Sequence, residues 1–82
     1  MKTTQYTKQA QKGLAKMPRP QAKNMHQALT EIANGKTREK SITKLHGEDG
    51  YRLRRGGYRA IYLVTKNGIK VLRINPRGDA YK

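Results

Sequence analysis

The first third of the chain carries apolar residues at the three- to four-residue spacing of an amphipathic helix. Ala10, Leu14 and Met17 recur at this spacing after Thr7, and threonine favours the N-cap position. Residues 2–6, which precede the threonine, are polar and extended in character. The pattern predicts a first helix, with room for a short strand before it.

Two prolines separate this helix from a second apolar stripe. Pro18 breaks the first helix, and Pro20 suits the first turn of another helix because its ring fixes the backbone angle φ. The Asn34-Gly35 pair is a common stop signal. Between these signals the apolar residues at helical spacing are Ala22, Met25, Leu29 and Ile32. The first half of the chain is therefore predicted to form a helical hairpin.

In the second half of the chain the apolar period changes to two, which is typical of strands. Residues 51–54 alternate apolar side chains with arginines, and residues 58–65 are rich in aromatic and branched side chains. A glycine pair at 56–57 separates these segments. Asn67-Gly68 carries a hairpin signal before a third strand at 69–74. These signals predict an antiparallel meander of three strands.

The segment between the helices and the meander, residues 36–50, is polar. Ile42 and Leu45 are its apolar anchors, and it is compatible with either a short strand or a loop. Helices followed by strands are typical of an α+β domain. We therefore predict a single domain over residues 1–82, in which an N-terminal helical hairpin packs on a small twisted antiparallel β-sheet.

The charge of the chain narrows the choice of partner. Nineteen Lys and Arg residues against five Asp and Glu residues give a formal net charge of +14 at pH 7. Charge at this density repels itself, which favours a polyanionic partner over a basic surface that is only solvated. Nucleic acid is preferred to a membrane surface, because several arginines fall in predicted strands rather than on a basic amphipathic helix. An acidic protein partner is compatible with the same charge.

Several classes of protein are disfavoured by what the sequence lacks. It contains no cysteine, which excludes disulfides and thiolate metal sites. His26 and His46 are too far apart for the spacing of a zinc site, so we expect no metal or cofactor. The N-terminal residues are polar, unlike a signal peptide, and no apolar run is long enough to span a membrane. We expect a cytoplasmic protein with no membrane partner.

The glycine turn between the first two strands allows an estimate of their register. If this turn places Arg54 opposite Arg59, then Arg52 lies opposite Ile61. Alternating residues of a strand share one face of a sheet. The three arginines are therefore expected on one face, near one end of the hairpin.

The second turn extends this estimate to the end of the chain. A two-residue Asn-Gly turn would pair Lys66 with Ile69. The same ladder brings the end of the third strand beside Arg59. Arg77 then emerges close to Arg59, and Tyr81 follows a few residues later.

Four arginines that converge in this way favour a phosphate ligand. Like charges repel one another, and the guanidinium fork matches phosphate oxygens bidentately. We therefore interpret Arg52, Arg54, Arg59 and Arg77 as phosphate-binding residues, with a solvated basic face as the alternative. Tyr81 is suited to stack on a base or to donate a hydrogen bond to phosphate.

The sequence is less specific about the roles of the other polar and aromatic residues. Tyr51, Tyr58 and Tyr62 are expected to pack in the core or between strands rather than to serve as base platforms. An imidazole such as that of His46 can transfer protons near neutral pH, although a loop histidine more often has no special role. Arg55 is more typical of a solvated face.

The sequence resembles the RelE/ParE superfamily of bacterial toxins in two stretches. KLHGEDGYRLRRGGYRAIYLV (Lys44–Val64) is similar to the central motif, in which a Lys-Leu-x-Gly segment precedes a basic strand, a Gly-Tyr-Arg and an apolar strand. VLRINPRGDAYK (Val71–Lys82) is similar to the last strand and the closing Arg-x-x-x-Tyr. A helical hairpin with a central Met-Pro also matches in position, so the resemblance covers nearly the whole chain.

The resemblance implies an activity as well as a fold. RelE-like members have two N-terminal helices against a twisted antiparallel sheet, and they are metal-independent endoribonucleases that cut messenger RNA in the ribosomal A site. The 2′-hydroxyl attacks the adjacent phosphate and leaves a cyclic phosphate. The implied partners are the ribosome, messenger RNA and a cognate antitoxin, with which the toxin forms a hetero-oligomer.

The resemblance also implies a role for each basic residue. Arg52 and Arg54 match the basic pair of one strand and would grip the RNA backbone. Arg59 and Arg77 would stabilise the charge of the transition state, and Tyr81 would orient the substrate.

The general base is the point at which this chain departs from the family. RelE carries lysines where this chain has Arg52 and Arg54, and an arginine stays protonated. Lys44, His46, Tyr81 or a group of the nucleotide could take the proton, or the rate could depend mainly on orientation and charge. Lys44, His46 and Arg55 are further candidates for contact with RNA.

Two other functions are compatible with the sequence. A ParE-like toxin that inhibits DNA gyrase would share the fold, but it would not need the phosphate-binding arginines. A member of the fold that binds RNA without cutting it would keep the arginines and lack a base.

Overall fold

The computed structural model describes residues 2–45 and 50–76, which form two helices and a five-stranded sheet. The elements, in chain order, are β1 (Thr3–Tyr6), α1 (Lys8–Ala15), α2 (Arg19–Ala33), β2 (Ser41–Lys44), β3 (Tyr51–Arg55), β4 (Tyr58–Thr65) and β5 (Gly68–Pro76). The α+β class and both helices are confirmed. The predicted short strand at the start is β1, and the polar connection contains β2.

Both helices begin at the predicted signals and α2 also ends at one, whereas α1 ends at Ala15, before Met17 and the predicted break at Pro18. The hydroxyl of Thr7 caps α1 by accepting a hydrogen bond from the backbone N–H of Ala10 at 3.1 Å. Pro20 lies in the first turn of α2, and Asn34 follows its last turn. Gly35 has a φ of 87°, the left-handed conformation that ends many helices and that glycine adopts without strain.

The sheet is mixed rather than wholly antiparallel, with strand order β1-β5-β4-β3-β2. The meander β3-β4-β5 is antiparallel as predicted, and β2 extends it on the other side of β3. The prediction of a purely antiparallel sheet is wrong at β1, which pairs in parallel with β5. The reason is topological: the chain leaves β1, passes through both helices and the meander, and returns to the same edge in the same direction.

The β3–β4 register agrees with the sequence estimate, and the β4–β5 register does not. Arg54 pairs with Arg59 and Arg52 pairs with Ile61. The predicted pairing of Lys66 with Ile69 is wrong, because the turn is closed by Thr65 and Gly68. Gly68 is the first residue of β5, and a Cβ atom there would collide with the backbone of Thr3 in β1. Close packing of two backbones, rather than the turn, requires this glycine.

The core lies between the helices and one face of the sheet. It contains Met17, Met25, Leu29, Ile32, Leu53, Ala60, Tyr62, Ile69, Val71 and Ile74, together with buried alanines. Partly buried Tyr51 and Tyr58 pack against it, so the predicted packing role of the three strand tyrosines is confirmed. In the described parts of the chain, no helix is long and apolar enough to cross a membrane.

Candidate nucleic-acid interface

The face of the sheet that points away from the core carries four arginines. Arg54 and Arg59 are directly paired, and Arg52 and Arg73 flank Ile61 in the next row across β3, β4 and β5. Directly opposed side chains begin roughly 5 Å apart at their Cβ atoms. We call Arg52, Arg54, Arg59 and Arg73 the arginine face.

The arginine face has no acidic counterpart within residues 2–45 and 50–76. The acids in these segments are Glu31 in α2 and Glu39 in the loop before β2. Glu31 is paired with Lys40 at 2.8 Å, and the hydrogen bond and charge of Lys40 lower the pKa of this carboxyl. Within the described segments, neither of these acids neutralises the positive charge of the arginine face.

The burial of the arginines shows how this face is built. Arg54 and Arg73 are exposed, whereas Arg52 and Arg59 are half-buried. Ile61 lies between Arg52 and Arg73 and is only 9% exposed, although it is not part of the core cluster. The Nε atom of Arg52 is buried and has no hydrogen-bond partner among the described residues. Arginine stems can cover an apolar residue while their charged ends reach solvent, and the neighbours of Ile61 are placed to do so.

A β-bulge directs Arg73 to this face. Tyr62 pairs with Val71 and Ile61 pairs with Arg73, so Leu72 has no partner in β4. An uninterrupted ladder would place Arg73 opposite Ala60, on the core face, and would turn Ile74 outward. Arg73 is not among the residues that the sequence pattern predicted for this face. The signal was present, because the buried positions of β5 change from odd (Ile69, Val71) to even (Ile74) numbers.

Two of the candidate RNA-contacting residues lie away from the arginine face. Lys44 pairs with Tyr51 and Arg55 pairs with Tyr58, which are on the core side of their strands, and both basic residues are exposed. The structure therefore brings together Arg52, Arg54 and Arg59, but neither Lys44 nor Arg55 joins them. The other three candidates (His46, Arg77 and Tyr81) lie outside the described residues.

Two aromatic pairs lie on the helix side of the molecule. Tyr51 and Tyr62 stack with their ring centroids 5.6 Å apart, and burial together with the charge of Tyr51 raises the pKa of Tyr62. The hydroxyl of Tyr6 and Nδ1 of His26 are 3.0 Å apart and share a hydrogen bond. Burial raises the pKa of Tyr6 to about 12. Neither pair contributes to the arginine face.

The arginine face is suited to bind phosphate and to stabilise negative charge. Its guanidinium groups offer donors in a fixed fork but do not accept protons. The four arginines thus provide charge stabilisation, and none of them can serve as a general base. No group of three or more His, Cys, Asp or Glu residues in the described segments is placed to hold a metal ion.

Comparisons with known proteins relate this chain to toxins. Residues 4–81 match the sequence model of the family described as ParE toxin of type II toxin-antitoxin system, parDE. Among curated protein sequences, no significant match was found.

Several solved structures share the fold. The archaeal RelE-RelB complex from Pyrococcus horikoshii OT3 contains a chain with 31% identity and a TM-score of 0.72, and the match covers 94% of this chain and 96% of that one. A RelB-RelE antitoxin-toxin complex from Methanococcus jannaschii gives 25% identity, a TM-score of 0.79 and 94% coverage of both chains. The isolated E. coli RelE toxin, at 21% identity and a TM-score of 0.74 over 93% of this chain and 84% of that one, shows the same fold.

Proposed function

The chain belongs to the family of ParE toxins of type II toxin-antitoxin systems, and we propose that it is an endoribonuclease that cleaves messenger RNA in the ribosomal A site. The arginine face carries this proposal. A toxin that acts on a protein target has no evident need for four guanidinium groups on one face of a sheet, with no described acidic residue to neutralise them. RNA has a phosphate at every nucleotide to meet them. The RelE-like placement of the helical hairpin on the other face, which the shared core supports, would leave the arginine face open to RNA.

The reaction is an internal transfer at phosphorus. The 2′-oxygen of one nucleotide attacks the adjacent phosphorus while the bond to the 5′-oxygen of the next nucleotide breaks, which leaves a 2′,3′-cyclic phosphate. The 2′-hydroxyl loses a proton, and the departing 5′-oxygen gains one. Negative charge grows on the phosphoryl oxygens in the transition state, and fixed donors aimed at those oxygens lower the barrier.

The positions of the arginines suggest that they have different roles in the reaction. Arg59, in the central strand β4 and half-buried, is held firmly and would stabilise the phosphoryl oxygens. Arg52 and Arg54 in β3 would hold the RNA backbone in line for attack. Arg73 is an additional phosphate contact, which the bulge in β5 makes available. Arg77 and Tyr81 would complete the site by stabilising charge and orienting the substrate.

The proton acceptor is proposed to come from elsewhere than the arginine face. Lys44 was one candidate for this role, but its position on the other side of the sheet argues against it. His46, Tyr81 and a group of the nucleotide remain as candidates. If the ribosome holds the message in the reactive conformation, charge and orientation from the arginines supply most of the protein's contribution.

We propose a cognate antitoxin as the physiological partner, in a hetero-oligomer. The archaeal relatives with 25% and 31% identity were solved as complexes of toxin and antitoxin. A chain with a net charge of +14 is well matched to an acidic protein that neutralises it.

Inhibition of DNA gyrase is the second candidate, because the matching family is named for ParE. It predicts DNA damage with intact messages, whereas the nuclease predicts arrested translation with messages cut at codon positions. The arginine face favours the nuclease.

The test is a cleavage assay on a defined message, naked and on ribosomes with an occupied P site, with 5′ ends mapped by primer extension. We expect a new end within the A-site codon, only with ribosomes and without added metal. If naked RNA is also cut, the protein is a nuclease that does not require the ribosome. If folded protein cuts neither substrate, the nuclease proposal is wrong, and the arginine face is a binding surface.

A further inference from the structure

The central strand β4 departs from the pattern that its place in the sheet predicts. A sheet that packs a core on one face usually presents polar side chains on the other face. The positions of β4 that point away from the core are Arg59, Ile61, Leu63 and Thr65, and two of these are aliphatic. The stems of neighbouring arginines are placed to cover Ile61, but Leu63 lies one row of paired residues beyond them. Leu63 therefore needs a separate explanation.

Leu63 has a second leucine beside it, and neither belongs to the core. Leu63 and Leu45, the residue after β2, are half-buried, but neither is part of the core cluster or packed against it. The backbone N–H of Leu45 donates to the carbonyl of Gly50 at 2.9 Å, which places these two residues opposite each other. Gly50 precedes Tyr51, whose partner is Tyr62, so the same ladder brings Gly50 opposite Leu63. The two leucines therefore lie in one row, with the glycine between them.

The side chains of the two leucines lie over this glycine. A Cβ atom added to Gly50 would be 3.4 Å from Cδ1 of Leu45 and 3.5 Å from Cδ2 of Leu63. Because residues 50, 52 and 54 point to the same side of the strand, this contact is on the side of the arginine face. Both side chains thus occupy the space above a residue that has no side chain of its own. We call Leu45 and Leu63 the leucine pair.

The leucine pair has cations beside it in two directions. Along the strands, the row that contains Arg52 and Arg73 is two residues away from Leu63, which is roughly 7 Å at the rise of a strand. Across the sheet, exposed Lys70 of β5 pairs with Leu63. A nucleobase lies at a comparable distance from its own phosphate. A nucleotide whose phosphate is held by the arginines can therefore reach the leucine pair with its base.

We infer that the leucine pair is a platform for a nucleobase of the RNA strand whose phosphates the arginine face holds. Proteins that bind single strands combine a positive track for the backbone with side chains on which the bases stack, and a flat aliphatic surface can take the place of an aromatic ring. Leucine has no donor or acceptor to read the edge of a base. The platform would therefore position the message without selecting its sequence. The inference rests on the proposed function, because it requires RNA on the arginine face.

The test measures the binding of short RNA rather than its cleavage. One probe is a fluorescein-labelled hexanucleotide with 2′-O-methyl groups, which cannot be cut through the 2′-oxygen, and the other is an abasic strand of the same length. The variants are Leu63→Ala, which removes most of one platform side chain, and Leu63→Phe, which adds an aromatic face. The matched control is Val64→Ala, since Val64 is the next residue of β4, points to the other face and is 65% exposed. Fluorescence anisotropy gives each affinity over a range of salt concentrations, and circular dichroism checks the fold.

For Leu63→Ala we expect the affinity for the probe with bases to fall about fivefold, the lower end of the range for stacking on an aromatic side chain, and for Leu63→Phe to rise by a similar factor. Neither variant should change the affinity for the abasic probe. Neither should change the slope of log affinity against log salt, because no phosphate contact is altered. Arg52→Ala should reduce that slope by about 1. Val64→Ala should bind both probes like the wild type.

Three results would overturn the inference. The first is wild-type affinity of folded Leu63→Ala for the probe with bases, and a weaker cognate antitoxin in the same variant would then assign the leucine pair to a protein contact. The second is an equal loss for both probes, because Leu63 would then act only by supporting the arginines. The third is a wild-type chain that binds the two probes equally. If the wild type prefers the bases as expected but cuts no message on ribosomes, the nuclease proposal fails and the platform stands.

Discussion

At the residue scale, the pairing of Arg54 with Arg59 is the feature that most needs a functional explanation. Like charges at directly opposed positions of two strands destabilise a sheet. No acidic residue of the described segments lies on this face to relieve the repulsion. The same two guanidinium groups become favourable when a phosphate bridges them, because each can donate two hydrogen bonds to it. The pairing of the two arginines therefore destabilises the free protein and favours its complex with a phosphate.

Arg59 and Arg55 provide a matched pair of substitutions for this site. Both are strand arginines, but Arg59 lies on the arginine face and Arg55 on the other side. We expect Arg59→Ala to lower the rate of ribosome-dependent cleavage by about 100-fold or more, as for other fixed donors to a charged transition state. Arg55→Ala should cut at close to the wild-type rate. Primer extension measures both rates, and equal losses in the two variants would contradict the assignment.

Tyr6 gives a residue-scale prediction that concerns stability. Its pKa in the folded chain is raised to about 12 by burial, against 10.0 for a free tyrosine. Since the folded pKa is higher than the unfolded one, the contribution of Tyr6 to stability is complete below pH 10 and is lost as the pH rises towards 12. Absorbance of the phenolate followed against pH should show a late-titrating tyrosine that Tyr6→Phe removes. If the late-titrating component were still present at full size in Tyr6→Phe, the assignment to Tyr6 would be wrong.

Most of the described arginine face could be predicted from the sequence, and Arg73 shows where that prediction ends. Arg52, Arg54 and Arg59 follow from a two-residue period and one glycine turn, so a single local estimate was enough to place them. Arg73 depends on an unpaired residue, Leu72, which changes the face of every later residue in β5. A bulge is set by the contacts of the whole sheet, and the sequence marks it only by a change in the spacing of apolar residues.

At the scale of elements, Thr7 connects the first helix to this bulge. Its hydroxyl accepts the N–H of Ala10 and donates to the carbonyl of Leu72 at 2.6 Å. Its own N–H donates to the carbonyl of Val71 at 3.0 Å. One side chain therefore caps α1 and satisfies the carbonyl of the residue that the bulge leaves without a ladder partner.

Replacement of this hydroxyl should weaken the fold by a predictable amount. We expect Thr7→Ala to lower the free energy of unfolding by about 1–2 kcal/mol, because a helix cap and a hydrogen bond to the bulge are lost together. Thr7→Ser retains the hydroxyl and should cost much less. Urea unfolding followed by circular dichroism measures both. An unchanged midpoint in Thr7→Ala would show that the hydroxyl does not hold α1 to β5.

The elements that the sequence did not place correctly are those that depend on distant backbone contacts. Both helices follow from local caps and apolar spacing, and only the end of α1, at Ala15, differs from its predicted position. The parallel pairing of β1 depends on β5, more than sixty residues later, which no local pattern encodes. Gly68 was interpreted as a turn residue, but it is required where β1 passes close to β5. Gly13 is similar, because a Cβ atom there would collide with the carbonyl of Ile74.

At the scale of the whole molecule, the distribution of charge is one-sided along the chain. The first thirty residues contain no acidic residue, and Lys8 and Lys12 in α1 are followed at the same four-residue spacing by Lys16, the C-cap residue of the helix. Like charges at this spacing are on the same face of a helix and destabilise it. Together with the arginine face, they give a small domain whose folding is opposed by its own charge, and which a polyanion or an acidic antitoxin would stabilise.

This self-repulsion predicts how stability responds to salt. The molecule measures 33 × 30 × 27 Å. At about 0.01 M salt the screening length is roughly 30 Å, so all its charges interact, whereas at about 1 M it is roughly 3 Å and only neighbours do. We therefore expect the melting temperature of the free chain to rise as sodium chloride increases across this range. Replacement of Lys8, Lys12 and Lys16 by Gln should raise the melting temperature at low salt and flatten the dependence. A melting temperature that falls with salt would mean that attractive charge pairs, rather than repulsion, dominate the fold.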